Sequence, residues 1–471
     1  MQASENRTLP PPHLLRSMTA VIIGSLLLRA AAGAMGQNIQ FFFNSIHQAA
    51  IQPASPLRAL FGSHHVYRIS YTLGGVIIGS FFAAELIGAI FFGAWSDRYG
   101  RKLFIIFGPL FGALAVQITA LTTVLWVLIF TRLLEGLSTA SNAPATLGYI
   151  AESSAHSPQL RTRVIGFFEI ATIGGSALGF SLGGWLWKNF GAPAVVMGIP
   201  LTSPAFALNA LVYLASLVIL WWGIHEIKEK KAPAQAVSTA GNTLKRYWKI
   251  ASSPQVAGFA PAWIAINAVL GIWTNLSARV LTDRTRHWHF NQLLVGHFNS
   301  EQVGNILAGY AAFFILGILL WTFFFPHMKK TTAMLIGTVG LFFSCLFLFL
   351  INHQPSINAP LILPLVGLMI ISIMVLSGFT PAAVTHLADI TEPYADDRGA
   401  IMGLYSVFLG LGSFIGLSIG GPFVDWLGAD GIALVNALLG ILAAYLVLRL
   451  RNHEIQHDKI IKTEDNSLVG L

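Results

Sequence analysis

The chain is 471 residues long, 55% of them hydrophobic and 10% charged, with a formal net charge of +8 and one cysteine. A soluble domain carries roughly a quarter charged residues, so this composition excludes an ordinary soluble protein. The single cysteine excludes an intrachain disulfide framework, and the positive balance is better explained by membrane orientation than by nucleic acid.

Apolar blocks of about 20 residues recur along the sequence, and each can cross roughly 30 Å of hydrocarbon as a helix. The first block is longer than a signal-peptide core, so we expect it to be kept as the first span. We predict an all-α membrane protein with twelve spans, at residues 18–42, 71–95, 103–121, 124–150, 163–188, 204–224, 255–278, 302–325, 331–351, 359–386, 399–422 and 431–449. Because twelve is even, both termini lie on one side of the membrane.

A polar, Lys-rich segment separates the first six spans from the second six. The predicted parts are a tail at 1–17, a six-helix bundle at 18–225, a linker at 226–254, a second six-helix bundle at 255–450 and a tail at 451–471. The linker is either a flexible tether or carries a short surface helix around residues 243–249.

Lys and Arg residues are distributed unequally between the two sets of loops. The set that includes both tails holds 20 of them, and the opposite set holds six: Arg58, Arg68, Lys188, Arg279, Arg284 and Arg286. Since Lys and Arg accumulate on the cytoplasmic side, we expect both tails in the cytoplasm. Short loops and the absence of a recognisable targeting signal favour a bacterial inner membrane.

A stretch of the first half recurs without gaps 237 positions later, so that residues 144–184 align with residues 381–421. A proline, an arginine and five glycines fall in register, which apolar bias alone does not produce. Parallel repeats are typical of transporters that bind substrate between their halves. We expect two sets of repeated glycines to serve close helix packing: Gly175, Gly179, Gly183 and Gly184, and Gly412, Gly416, Gly420 and Gly421.

The loop between the second and third spans carries a dense motif of glycines and charges. Its glycines suit a short turn between antiparallel helices, and its cations alone would be an ordinary cytoplasmic anchor. The complete pattern, G-x-x-x-D-R-x-G-R-K, resembles the signature loop of the major facilitator superfamily. Its fixed positions are Gly93, Asp97, Arg98, Gly100, Arg101 and Lys102.

The resemblance covers nearly the whole chain and implies two parallel, pseudo-symmetric six-helix bundles that rock around a central site. It also implies that the loop is a cytoplasmic latch, which holds the outward-facing state. In that latch Asp97 meets the start of span eleven and a basic residue after span four, here Arg161 or Arg163. Arg398 is the repeat equivalent of Arg161 at the start of span eleven.

Four charged residues interrupt apolar spans of the first half: Arg29, Glu85, Arg132 and Glu135. A central charge costs roughly 2.5–3.5 kcal/mol on insertion scales, so such residues usually face a cavity or a partner. Arg132 and Glu135 share a helix face, and their segment resembles the family's R-x-x-Q-G element with Glu in place of Gln. We expect the four residues, whose formal charges cancel, to line a central cavity. Glu85 or Glu135 would carry protons, and Arg29 and Arg132 would tune these carboxylates or bind an anionic group. Structural ion pairs would give the same pattern.

The second half offers weaker candidates. Trp263 and Asn267 lie in span seven, with Trp273 and Asn275 beside them, and each is equally consistent with ordinary packing. No metal or cofactor is predicted, because the outward-loop histidines are better explained as exposed polar residues: His64, His65, His287 and His289.

The sequence therefore predicts a monomeric secondary active transporter that works by alternating access, and not an enzyme. Its partners would be a small-molecule substrate, protons and the lipid bilayer. Proton-coupled export of amphiphilic compounds is the first interpretation. The alternatives are proton-coupled uptake of an organic anion, favoured by the paired arginines, and a lipid or lysolipid flippase.

Overall fold

The computed structural model describes residues 12–63, 66–154, 158–225, 248–286, 288, 291–324, 328–391 and 398–469. Seven helices belong to the first half: α1 (Pro12–Ile51), α2 (Pro56–Phe61), α3 (Tyr71–Tyr99), α4 (Arg101–Ala120), α5 (Leu125–Ser153), α6 (Pro158–Phe190) and α7 (Pro204–Gly223). Seven belong to the second half: α8 (Pro254–Thr282), α9 (Ser300–Phe324), α10 (Lys330–Asn352), α11 (Ile362–Leu376), α12 (Phe379–Ile390), α13 (Arg398–Leu427) and α14 (Ala429–Val469). A two-stranded antiparallel hairpin, β1 (Ala194–Val196) and β2 (Ile199–Leu201), joins α6 to α7.

Eleven helical segments of the described chain are long and apolar enough to cross a membrane, and α11 with α12 counts as one of them. The remaining predicted span, at 124–150, coincides with α5, which is 29 residues long and less apolar because it contains Arg132, Glu135 and several hydroxyl residues. The prediction of an all-α protein with twelve spans is confirmed. The predicted linker lies mostly outside the described residues.

Some helices extend well beyond the predicted spans. α1 has 40 residues and is roughly 60 Å long at 1.5 Å per residue, whereas the predicted span covers 18–42. Hydropathy marks where the chain leaves the hydrocarbon, while backbone hydrogen bonding continues the helix past that point. We call the end of the bundle that holds both chain termini the terminal end, and the opposite end the far end.

Glycines set the tightest helix contacts within each half. Gly175, Gly179 and Gly183 of α6 lie directly against the backbone of α1, around Leu26, Ala30 and Ala34. The equivalent residues of α13 lie against α8: Gly412 and Gly416 against its backbone, and Gly420 against Ile272 and Leu276. The same repeat-related helices therefore pack in the same way in both bundles.

The fourth glycine of each set contacts the opposite half, at the far end. Gly184 of α6 meets Ser300 and Gly304 of α9, and Gly421 of α13 meets the start of α3. Four turns before Gly184, on the same face of α6, Ile170 is 68% exposed. The halves are therefore joined at the far end, whereas α9 no longer covers this face of α6 at the terminal end.

Candidate functional site

Arg132 and Glu135 form a buried ion pair inside α5. Each is about 2% exposed, and Arg132 Nη1 contacts Glu135 Oε2. The hydroxyl of Tyr213 in α7 donates to the other carboxylate oxygen, Glu135 Oε1, at 3.1 Å. Both Glu135 oxygens are thus engaged, while Arg132 Nε and Nη2 have no hydrogen-bond partner in the described part of the chain. The pair is closed from solvent in this state of the molecule.

Arg29 lies on the side of α1 that faces the other half. Farther along this side, Gln37 donates to the Thr274 carbonyl of α8 at 3.3 Å, and Asn44 donates to the Arg279 carbonyl at 2.9 Å. Two turns from Arg29, a side chain at Gly36 would meet nothing within 4 Å. Arg29 therefore faces an open space between the halves and not lipid, and it is half-buried.

Glu85 lies on the interior face of α3. Gly74 and Ile78, on the same face, are packed inside the protein, whereas Val76 and Ile87 on the opposite face are 45% and 57% exposed. Glu85 interacts electrostatically with Arg29 and with Glu135. The structure thus brings together the four residues that the sequence analysis selected.

Glu169 of α6 is a fifth charge that the sequence analysis missed. It interacts electrostatically with Arg29 and is exposed on the face of α6 that turns towards Arg29 and the central space. Counting Glu169, the cluster holds three carboxylates and two guanidinium groups, so its formal charges do not cancel. The signal was present in the sequence, because Glu169 lies seven residues inside a predicted span. We call Arg29, Glu85, Arg132, Glu135 and Glu169 the charged cluster.

Asn267 of the second half occupies the position that Arg29 has in the first. Gly175 lies beside the Leu26 carbonyl and Arg29 Cβ, and the equivalent Gly412 lies beside the Ile264 carbonyl and Asn267 Cβ. The Asn267 amide donates to a carbonyl of its own helix, that of Trp263, at 2.9 Å. At this repeat-related position the first half therefore carries a charge and the second half a neutral amide.

Trp263 is placed differently from the expectation that it lines a pathway. Its ring is 2% exposed and packs against Phe259 and Phe379, with centroids 6.1 and 6.3 Å away. The structure places it in the apolar core of the second half. Sequence spacing could not separate these locations, because an aromatic residue suits both.

The signature loop forms a tight helix-to-helix turn at the terminal end. Gly100 has a φ of 102°, a left-handed value that favours glycine, and it separates α3 from α4. Arg101 pairs with Glu152 at the end of α5 at 2.9 Å and donates to Ser96 Oγ at 2.9 Å. Lys102 follows in the first turn of α4.

The repeat contains an equivalent of this ion pair. Asp389, the counterpart of Glu152, pairs with Lys330 at the start of α10. The sequence analysis did not foresee either carboxylate as a partner of these bases.

Several expectations about the latch stay untested. The side chains of Asp97, Arg161 and Arg398 lie outside the described residues. Gly93 faces Pro144 of α5, and Arg98 lies over the Tyr99 ring at 5.3 Å.

Arg279 requires a correction, since the sequence analysis counted it among loop residues. It lies in the last turn of α8 and is fully buried. Its guanidinium donates to the carbonyls of Ile69 and Ser70 at 2.6 and 2.9 Å and to Asn44 Oδ1 at 3.1 Å. Three hydrogen-bond acceptors from the first half offset the cost of burying this charge. Hydropathy cannot reveal these contacts, because they join distant parts of the chain.

The loop histidines named above, His64, His65, His287 and His289, lie outside the described residues. Within the described chain, no group of three or more His, Cys, Asp or Glu residues could hold a metal ion.

The model of the Major Facilitator Superfamily matches residues 38–296 and 287–469, so this chain belongs to that superfamily of membrane transporters. It is 28% identical to multidrug resistance protein 2 of Bacillus subtilis over 152 residues, a match that spans 32% of this chain and 35% of that protein. Multidrug resistance protein 1 of Bacillus subtilis is 23% identical over 365 residues, 76% of this chain and 82% of that protein.

Among solved structures, the nucleoside transporter NupG superimposes with a TM-score of 0.67 at 13% identity. The superposition covers 92% of this chain and 98% of that chain. This similarity establishes the fold alone. The family match and the apolar helices identify the chain as an integral membrane protein.

Proposed function

We propose that this transporter exports amphiphilic organic compounds in exchange for protons, by alternating access around the charged cluster. The observation that carries the proposal is the convergence of charged residues from α1, α3 and α6 beside the space between the halves, with the buried pair of α5 next to Glu85. The relatives named for multidrug resistance support export as the direction. The Lys and Arg distribution supports a cytoplasmic location for the terminal end, in a bacterial inner membrane.

In this mechanism Glu85 or Glu135 takes up a proton from one side of the membrane and releases it to the other side after the halves have rocked. Glu85 is half-buried beside Arg29, so movement of the halves would bring water to its carboxylate. Glu135 is held by Arg132 and Tyr213 and would release its hold on Arg132 when protonated. A proton on one carboxylate changes the charge of the cluster, and the change alters which state of the rocking halves is favoured.

Transport by Glu85→Gln and Glu135→Gln variants tests this proposal in proteoliposomes with an imposed pH gradient. A fluorescent amphiphilic dye serves as the probe. We expect each variant to lose most of the pH-driven transport, because a glutamine binds no proton in this range. Asp430→Asn is the control, because this carboxylate lies at the far end of the second half and bonds Asn352 of the same half. Full pH-driven transport by both variants contradicts proton coupling through them.

The organic-anion alternative is less well supported by the cluster. Arg132 is engaged by Glu135, and Arg29 has two carboxylates nearby, so little positive charge is left for an anion. Counterflow in vesicles separates the two directions: net dye efflux against inward proton flow excludes uptake.

The flippase alternative has one observation in its favour. The exposed face of α6 around Ile170 leaves a gap towards α9 at the terminal end, through which a lipid could enter sideways. Translocation of a fluorescent lysolipid in protein-containing vesicles, measured against protein-free vesicles, tests it.

A further inference from the structure

Asp425, in the last turns of α13, caps the beginning of α3 in the opposite half. Its Oδ1 accepts the backbone N–H of Tyr71 at 2.8 Å. Its Oδ2 accepts the backbone N–H and the hydroxyl of Thr72 at 2.8 and 2.7 Å. A carboxylate is stabilised at a helix N-terminus by the unpaired N–H groups and by the helix dipole. This is therefore a charge-assisted bridge between the halves at the far end.

Two arginines of the second half form hydrogen bonds at the beginning of α3, next to Asp425. Arg286 donates to Asp425 Oδ1 and to the Ile69 carbonyl, both at 2.6 Å. Arg279 donates to Ile69 as well, and both guanidinium groups lie over the Tyr71 ring, 4.3 Å away for Arg279 and 4.8 Å for Arg286. Asp425 thus neutralises part of a cationic cluster while it holds α3.

The repeat has a different contact at the equivalent place. The counterpart of Asp425 is Lys188 at the end of α6, which pairs with Glu301 in the first turn of α9. That pair joins two side chains, and both are more exposed than Asp425. Unlike Lys188, Asp425 bonds the backbone of a helix in the opposite half.

We propose that Asp425 is a far-end latch, which holds the present closure of the far end and must release α3 before that end can open. The same two helices carry the signature loop at the other end, where Asp97 ends α3 and is expected to meet the start of α13. Since rocking that brings these helices together at one end separates them at the other, the two carboxylates would engage in alternation. This inference rests on the alternating-access mechanism proposed above.

Labelling of a buried reporter cysteine tests the far-end latch in purified, detergent-solubilised protein. Cys345→Ser removes the single native cysteine, and Gln40→Cys places a thiol at a position of α1 that is 0% exposed in the closed far end. A bulky water-soluble maleimide can react there only when the far end opens. In this background we expect Asp425→Asn to raise the labelling rate roughly tenfold, because the charge that strengthens four hydrogen bonds is lost.

Asp430→Asn is the matched control. Asp430 is a far-end carboxylate five residues along, but its partners Asn352 and His353 belong to its own half. We expect this variant to label at the parent rate. Thermal unfolding verifies that the Asp425→Asn variant and the parent are both folded. Equal labelling rates of the two folded proteins overturn the proposal.

Thr72→Val provides a second variant in case Asp425→Asn does not fold. It removes the hydroxyl that donates to Asp425 and leaves the charge in place, so we expect a rise of a few fold. An unchanged rate in this variant also overturns the proposal. The assay needs neither substrate nor a pH gradient, so failure of proton-coupled export would leave its result intact.

Discussion

Arg132 and Glu135 depend on each other for burial, since each would otherwise be an isolated charge inside the bundle. Tyr213 adds a hydrogen bond from α7 to the same carboxylate. Replacing a buried ion pair as a whole is often nearly neutral, whereas removing one partner is costly. The stability of the protein should therefore separate these two kinds of change.

We expect Arg132→Leu to destabilise the folded protein by about 3–5 kcal/mol, because it leaves Glu135 without its cation. The double variant Arg132→Leu/Glu135→Leu should recover most of this loss. Thermal unfolding of the purified proteins measures both. If the single and the double variant are equally unstable, the pair contributes packing and not charge compensation.

Residue-level prediction succeeded where the chemistry was local. The spacing of Arg132 and Glu135 is sufficient to predict their pairing, because helix periodicity fixes which residues share a face. Tyr213 could not be found in this way, since its contact with Glu135 joins residues 78 positions apart. Arg279 was misplaced for the same reason: its acceptors lie in another half of the chain.

The helix pairs α1–α6 and α8–α13 pack closely, because glycine lets one backbone lie against the other. The repeated glycines allowed these close-packing positions to be predicted from the sequence. They did not indicate which helix each glycine would contact. Helix ends were less predictable, as α1 shows. Hydropathy indicates which residues lie in the hydrocarbon layer, whereas backbone hydrogen bonding decides where the helix ends.

Two glycines of α6 provide a matched test of this packing. A methyl group at Gly179 would press on the Ala30 carbonyl and lie 3.0 Å from Ala34 N, whereas a methyl group at Gly174 would meet nothing within 4 Å. We expect Gly179→Ala to destabilise the protein by about 1–3 kcal/mol. Gly174→Ala should be neutral or stabilising by up to about 1 kcal/mol. Thermal unfolding compares them, and equal stability of the two variants would contradict backbone contact at Gly179.

The whole molecule is two bundles joined at the far end, with their termini at the other end. The repeat and the even number of spans predicted this architecture. The present closure could not be predicted, because one sequence supports both states of a rocking transporter and they differ by only a few kcal/mol.

Orientation in the membrane can be checked with a phosphatase that is active only outside the cytoplasm. We expect activity when the enzyme is fused after Gln354 in the far-end loop between α10 and α11, and none when it is fused after Asn452 at the terminal end. The reason is the Lys and Arg excess in the terminal-end loops. The reverse result would show that the chain is inserted the other way round.

Substitutions at Gly36 could change which molecules fit into the space between the halves. A Cβ there would meet nothing within 4 Å, on the same side of α1 as Arg29. Single-base changes convert any glycine codon to alanine or valine, each of which would take up part of that room. Selection by a toxic compound could then change the range of molecules that fit while the architecture of the protein is preserved.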